Sequence, residues 1–274
     1  MRRVLSGRAW AVARPLITVA ALLLAWELWV RIGHVGTYVV PSMTATMKGM
    51  VTQSGTLIPA ARVTLTETLL GFGIAAVASV GLAAAFVAWR PVEKTLYPLV
   101  VTSQLIPMAA IAPLMITWFG FGLLSKLIIV FLICFFPIVV NGVAGLRSVE
   151  TEKLYLARSI GAGQWKVFTK IRFPAALPHL FAGLKLAAAF AVVGAVLGEF
   201  VGSEDGLGHI ILESSGAFDT VLVFGALMYL IVFALAFFYA VSAVERITIH
   251  WHVSQRTGAE QSSRSLLAAS EAAP

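Results

Sequence analysis

The chain has 274 residues, of which 59% are hydrophobic and only 12% are charged, and its formal net charge is +7. The mean hydropathy is +0.91. This composition excludes a water-soluble globule and indicates a protein embedded in lipid. The one cysteine, Cys134, lies in apolar sequence, which excludes a disulfide framework and a thiolate metal site.

The first predicted membrane helix covers residues 15–32 and follows a basic cytoplasmic N-terminal segment, 1–14. The apolar run has no small-residue cleavage site behind it, so we expect a retained helix rather than a cleaved signal peptide. Glu27 lies inside this run, one helical turn from Arg31. We therefore expect the two to pair, which gives Glu27 a structural role.

Further membrane helices are predicted from apolar stretches of about 20 residues, the length that crosses a bilayer core. The windows that carry no charged residue are 68–89, 127–146 and 220–244. The helix that contains the second window is predicted to cover 124–146. A turn-like Gly120-Phe121-Gly122 break limits another helix to 97–118. The fifth predicted helix in chain order, 180–201, carries Lys185 and Glu199 near its ends. The predicted fold is therefore all-α, with six transmembrane helices.

The distribution of Lys and Arg predicts that both termini lie in the cytoplasm, because cytoplasmic loops are enriched in these residues. With that orientation, 16 of the 20 basic residues face inward. The positive-inside bias and anionic headgroups account for the net charge, so we predict no nucleic-acid partner. The transmembrane domain is predicted to cover 15–252, and the small, polar tail, 253–274, is predicted to be disordered.

No group of residues in the sequence predicts catalysis or metal binding. The chain lacks H-E-x-x-H and G-x-S-x-G, and its four G-x-G strings, at Gly71, Gly120, Gly161 and Gly206, lack the third glycine of a dinucleotide loop. It also lacks GxxxxGK[ST], so it cannot cradle a nucleotide by the P-loop mechanism. We predict no catalytic residue, metal or cofactor in this chain. If ATP drives it, ATP and Mg²⁺ are bound by a partner.

A basic amphipathic segment, 147–179, separates the fourth and fifth predicted membrane helices. Apolar residues recur there at helical spacing, from Leu154 to Ile171, with Lys and Arg on the other faces. Gly161 and Gly163 interrupt the pattern, which favours two short helices with a bend. Periodicity alone fits equally well a helix lying on anionic lipid and a docking site for a soluble partner.

The spacing within this segment resembles the cytoplasmic loop motif of binding-protein-dependent ABC importer permeases. That motif runs E-A-A, three residues, Gly, nine residues, Ile, any residue, Leu-Pro. The matching positions are Ala157, Gly161, Ile171 and Pro174, and the departures are Tyr155, Leu156 and Phe173. The strings PLMITWFGFG (113–122) and GEFVGSEDGLGHII (198–211) are similar to those of the nitrate, sulfonate and taurine permease group.

This resemblance implies the fold of a type I ABC importer permease in a bacterial inner membrane. It also implies three partners: a dimer of ABC ATPase subunits, a second permease chain and an external solute-binding protein. A coupling helix, about 151–163, would dock on the ATPase. The implied ATPase-coupling residues are Leu156, Ala157, Arg158, Gly161, Ala162, Ile171 and Pro174.

A homodimer has some support in the residues of the fifth predicted helix, because small side chains let helices approach closely. One row contains Gly183, Ala187, Ala191 and Ala195, and another contains Gly194, Gly198 and Gly202. Either row can instead pack within the chain.

Polar groups and prolines at membrane depth are the candidates for the translocation path, because they are costly unless they face a cavity or a partner. They are Gln104, Pro107, Thr117, Asn141 and Glu199. The resemblance leaves two substrate classes: nitrate, sulfonate or taurine, and vitamin precursors of the pyrimidine or riboflavin type. The string FDTVLVFGAL (218–227) is more similar to permeases of the second class. The alternative function is a secondary transporter without an ATPase, for which we find no internal repeat.

Overall fold

The structure is a computed structural model that describes residues 2–249, without the side chains of residues 2–12, 15, 16 and 90. The tail predicted to be disordered, 253–274, lies outside the described residues. Every regular element within 2–249 is helical. The all-α class is therefore confirmed for the described part of the chain.

Eleven α-helices follow one another along the described residues. They are α1 (Arg2–Ile32), α2 (Met43–Thr52), α3 (Ser54–Ala88), α4 (Arg90–Ser103), α5 (Met108–Phe119), α6 (Leu123–Arg147), α7 (Thr151–Ser159), α8 (Gln164–Val167), α9 (Phe173–Gly202), α10 (Leu207–Gly216) and α11 (Thr220–Thr248). A π-helical turn, Phe168–Arg172, continues α8 into α9.

Four helical segments of the described chain are long and apolar enough to cross a membrane: α3, α6, the continuous Gln164–Gly202 segment and α11. The pair α4 and α5 makes a fifth if the two together form one span. The first predicted span, 15–32, lies in α1, some of whose side chains are outside the described part of the structure.

The predicted helix over 97–118 differs from the observed structure, because two helices stand in its place. The axes of Pro91–Ser103 and Met108–Phe119 meet at 101° across a break at residues 104–107. Pro107 explains the position of the break, since it has no N–H to donate and it disfavours helical geometry at Ile106. Pro113 lies inside α5 and does not end that helix.

The chain divides into two compact units. Unit 1 comprises Met1–Gly71, Met108–Val130 and Ala191–Ala234, and unit 2 comprises Phe72–Pro107, Phe131–Phe190 and Leu235–Pro274. The core of unit 1 is built from α3, α9, α10 and α11, and includes Leu57, Val192, Leu207, Ile210 and Ala226. A core of unit 2 includes Ala83, Phe86, Val139, Val143 and Leu180.

The small residues of α9 pack within the chain. A Cβ on Gly183 would lie 2.8 Å from Asn141 Cβ and 2.9 Å from the Pro137 carbonyl oxygen, both on α6. Ala187, Ala191 and Ala195 of the same row are fully buried. These positions therefore serve contacts inside one molecule, and the row does not mark a surface left for a second copy.

Candidate functional site

The segment predicted to dock a partner forms two short helices with a bend between them. Gly161 makes the bend, with φ +80°, a conformation that a side chain strains. The Gly161 amide donates to the Arg158 carbonyl (2.9 Å) and the Ala162 amide to the Ala157 carbonyl (3.0 Å), which closes the end of α7. A Cβ on Gly161 would meet nothing within 4 Å, so the outside of the bend is open.

Large apolar side chains project from this segment into the surroundings of the isolated chain. Their exposed fractions are 67% for Tyr155, 66% for Leu156, 77% for Ile160 and 75% for Trp165. We call these four residues the apolar docking surface. Arg158 and Lys166 are exposed beside them. Sequence reasoning singled out Leu156 but assigned no contact to Ile160 or Trp165, because spacing does not reveal which apolar face is left uncovered.

The other predicted coupling residues lie deeper. Ala157 is buried, Ala162 is half-buried, and Ile171 and Pro174 are half-buried where the π-helical turn leads into α9. Ala157 therefore holds α7 against its own chain. Leu156, Arg158 and Gly161 are exposed on the surface of the isolated chain.

The predicted path residues differ in their surroundings. Gln104 and Pro107 lie exposed in the break between α4 and α5, and Thr117 is exposed on α5. The Thr117 hydroxyl donates to the Pro113 carbonyl (2.9 Å), and the half-buried Asn141 side-chain amide donates to the Pro137 carbonyl (2.8 Å). In each case the acceptor is the carbonyl four residues earlier in the same helix, so both polar side chains have a hydrogen-bond partner within their own helix. A path role for these four residues stays a prediction.

Glu199, the fifth predicted path residue, is 1% exposed and lies in a hydrogen-bonded network inside unit 1. Its Oε1 accepts from the Thr64 hydroxyl at 2.6 Å, and its Oε2 accepts from the Gly208 amide at 2.5 Å. The Thr64 oxygen in turn accepts from the Leu207 amide at 2.9 Å. The structure therefore places Glu199 against the start of α10, and both carboxylate oxygens are engaged there.

Lys126 and Glu67 form an ion pair in the same unit. The Lys126 ammonium lies 2.6 Å from Glu67 Oε1 and also donates to the Ser203 hydroxyl at 2.7 Å. The side chains of Lys126 and Glu67 are only 8% and 2% exposed. We call Thr64, Glu67, Lys126, Glu199 and Ser203 the buried polar cluster.

Sequence reasoning missed this cluster. Glu67 and Lys126 lie next to the charge-free windows 68–89 and 127–146, and no role is predicted for either residue. The signal that could have predicted the cluster is that Glu67, Lys126 and Glu199 each lie at the end of a predicted apolar helix. Ionisable groups at such positions pair with one another when they are buried. Which of them pair depends on helix packing, which the sequence does not display.

Gly206 fits the cluster because it has no side chain. Its φ is +109°, and a Cβ there would lie 2.2 Å from Glu199 Oε1. Gly208 is equally tight, since a Cβ would lie 2.7 Å from Glu199 Oε2. The Gly206-Leu207-Gly208 string thus cradles a carboxylate of its own chain.

Neither site has the composition of a catalytic centre. The described residues contain no group of three His, Cys, Asp or Glu side chains able to hold a metal ion. The hydroxyl and ammonium groups of the buried polar cluster form hydrogen bonds with other members of the cluster. The cluster therefore holds helices together. The apolar docking surface has the chemistry of a contact area.

The chain is similar to known membrane transport proteins. The profile of the family described as "Binding-protein-dependent transport system inner membrane component" matches residues 78–250. The riboflavin transport system permease protein of Chloroflexus aurantiacus is 35% identical over 240 residues, covering 87% of this chain and 90% of that protein. The formylaminopyrimidine transport permease protein of Halalkalibacterium halodurans is 31% identical over 253 residues, covering 90% and 99%.

Other comparisons extend to the predicted sulfonate group and to the fold. A putative aliphatic sulfonates transport permease protein of Bacillus subtilis is 28% identical over 246 residues, covering 88% of each chain. A chain in an inward-facing structure of the MetNI methionine ABC transporter superposes with a TM-score of 0.57 at 18% identity, covering 76% of this chain and 98% of that one. The last likeness shows a shared fold.

The matched profile covers more than half of the chain, and the riboflavin and formylaminopyrimidine relatives, at 35% and 31% identity, span nearly its whole length. The predicted resemblance to ABC importer permeases is therefore confirmed. The chain belongs to the family of binding-protein-dependent transport system inner membrane components, and it is a membrane-embedded permease subunit of an ABC importer.

Proposed function

We propose that α7, the Gly161 bend and α8 form the site where a separate ATPase subunit docks. The observation that carries this proposal is the apolar docking surface, whose four side chains are each about two-thirds or more exposed. Contiguous exposed apolar residues rimmed by charges are typical of a protein contact. The chain has no P-loop of its own, so ATP and Mg²⁺ are bound by that partner.

The complete assembly in this proposal contains two permease chains, two ATPase subunits and an external solute-binding protein. Each permease has six membrane helices, with 15–32 of α1 as the first and the α4–α5 pair as the third. Both termini lie in the cytoplasm, which the distribution of Lys and Arg supports. ATP-driven closure of the ATPases would move the two permease chains between inward-open and outward-open states.

Gly161 offers a sharp test of ATPase docking. Gly161→Ala and Gly161→Trp impose the same backbone strain, because both place a side chain at φ +80°. In both variants the Cβ meets no atom of the chain within 4 Å, so neither substitution clashes at that position. We expect Gly161→Trp to lower ATPase co-purification and ATP-driven uptake about tenfold more than Gly161→Ala, which corresponds to about 1.4 kcal/mol of lost docking.

The contrary result is also informative. Equal ATPase recovery with the two variants, at equal amounts of permease in the membrane, would mean that no partner covers the bend. The alternative is that the segment lies on the lipid surface. That alternative would be favoured if the two variants bound anionic vesicles without the ATPase and their affinities differed by the same factor as their uptake.

For the substrate we propose a pyrimidine or flavin type of vitamin precursor. Relatives named for riboflavin and formylaminopyrimidine are 35% and 31% identical, compared with 28% for the sulfonate permease. The segment 203–219, outside in the proposed orientation, carries Glu204, Asp205, Glu213 and Asp219 without any Lys or Arg, so it does not attract an anionic sulfonate. Uptake of riboflavin and of taurine by the reconstituted importer, with its own binding protein, distinguishes the two classes. Preferential uptake of taurine would overturn this proposal.

A further inference from the structure

Helix α10 begins without a cap of its own. Its N-cap residue is Gly206, which has no side chain to accept from the first turn. The first amides of any α-helix lack an acceptor within the helix and need one from elsewhere. Here the Leu207 amide donates to Thr64 of α3 and the Gly208 amide to Glu199 of α9. Two other helices therefore supply the cap of α10.

The electrostatics of this arrangement are favourable. A helix N-terminus carries a partial positive charge, and the Glu199 carboxylate lies directly against it. The Thr64 hydroxyl connects the two bonds, since it accepts from Leu207 and donates to Glu199. Loss of that hydroxyl would leave a buried amide and a buried carboxylate oxygen each short of one partner.

The linker that precedes α10 is held as well. Lys126 of α6 donates to Ser203, while its charge is balanced by Glu67 of α3. The Ser203 hydroxyl oxygen also accepts from the Asp205 amide at 3.2 Å. Both ends of the 203–206 linker are thus tied to α3, one through Lys126 and the other through Glu199 and Thr64.

Burial of these ionisable groups costs free energy that apolar side chains would not. Apolar packing already holds α10, because Leu207, Ile210 and Ile211 belong to the core of unit 1. Hydrogen bonds are directional, so they fix the rotation of α10 about its axis and its position along that axis relative to α3 and α9. Apolar packing alone does not specify one such orientation.

We propose that Thr64 and Glu199 are positioning residues that lock α10 and its linker onto α3 and α9, so that these elements of unit 1 move as one body during transport. This inference rests on the proposed function for its orientation, in which the linker and α10 lie at the outer side. Loss of the lock is therefore expected to lower the amount of solute moved per ATP hydrolysed.

Thr64 provides a matched pair of variants. Thr64→Val keeps the shape of the side chain and removes the hydroxyl, whereas Thr64→Ser keeps the hydroxyl and removes a methyl group. Both fold, because the apolar contacts of α10 remain. The readouts are solute taken up per ATP hydrolysed in the reconstituted importer, and hydrogen exchange of the peptide containing Leu207 and Gly208.

With Thr64→Val we expect amide exchange at Leu207 and Gly208 to become roughly tenfold faster, since one capping bond is lost and another weakened. Uptake per ATP should fall while ATP hydrolysis continues, and Glu199→Gln should give the same pattern. Thr64→Ser should restore both readouts. A purely structural role would lower uptake and hydrolysis together.

The proposal is overturned if Thr64→Val exchanges at the unaltered rate or transports with the original stoichiometry. It is also overturned if Thr64→Ser and Thr64→Val behave alike. Failure of the proposed function looks different, because the unaltered complex would then show no ATP-driven uptake at all. In that event the exchange rates still decide whether Thr64 caps α10.

Discussion

A comparison of two Lys–Glu pairs, Lys126–Glu67 and Lys153–Glu150, shows how strongly the value of a charge depends on burial. The first pair is 2.6 Å apart and at most 8% exposed, whereas the second is 3.0 Å apart and about two-thirds exposed on both sides. Exposed pairs contribute little, because water and salt screen them. A buried pair is sensitive in a different way, since removal of one partner leaves the other charge without compensation.

This contrast predicts unequal effects of the same substitution. Lys126→Met should destabilise the permease by about 3–5 kcal/mol, because Glu67 is left charged and buried. Lys153→Met should cost about 1 kcal/mol or less. Adding Glu67→Gln to Lys126→Met should recover part of the loss, because the uncompensated charge is then removed. Thermal unfolding in detergent measures all three, and equal midpoints for the two single variants would contradict the prediction.

At the scale of elements, helix contacts explain which glycines matter. Gly183 of α9 lies against α6, with the Asn141 and Pro137 atoms under 3 Å from a built Cβ, whereas a Cβ on Gly81 of α3 meets nothing within 4 Å. Both glycines lie in apolar helices of similar composition. The sequence alone does not tell them apart.

We therefore expect Gly183→Leu to separate α9 from α6 and to cost about 1–3 kcal/mol, the usual penalty of overpacking. Gly81→Leu should be close to neutral or slightly stabilising, since leucine has the higher helix propensity. The amount of folded permease recovered by size-exclusion chromatography in detergent reports the difference. Similar recovery of the two variants would show that α9 and α6 are not in close contact at Gly183.

At the scale of the whole molecule, the proposed orientation is open to direct measurement. Cys134 is fully buried and its thiol donates to the Ala187 carbonyl, so the unaltered chain should resist a membrane-impermeant maleimide. Exposed serines provide single reporter sites: Ser159 at the end of α7 and Ser215 near the end of α10. With both termini inside, Ser215→Cys should label in intact cells and Ser159→Cys only after the membrane is opened. The reverse pattern would invert the orientation.

Much of the candidate site was predictable because its signals are local. The glycines at 161 and 163 predicted two short helices with a bend, and the bend appears at Gly161. The sequence predicted one helix over 97–118, which the structure breaks at residues 104–107, since proline marks where a helix can stop but does not force it to. Pro113 lies within α5 all the same.

Sequence by itself determined the membrane class, the approximate membrane helices and the family. Those properties depend on runs of about 20 apolar residues and on short-range spacing, which are one-dimensional. Only the tertiary structure decided that Lys126 meets Glu67, 59 residues away, and that Thr64 meets Glu199, 135 residues away. Such pairs form where packed helices bring distant side chains together, and burial then makes each charge depend on its partner.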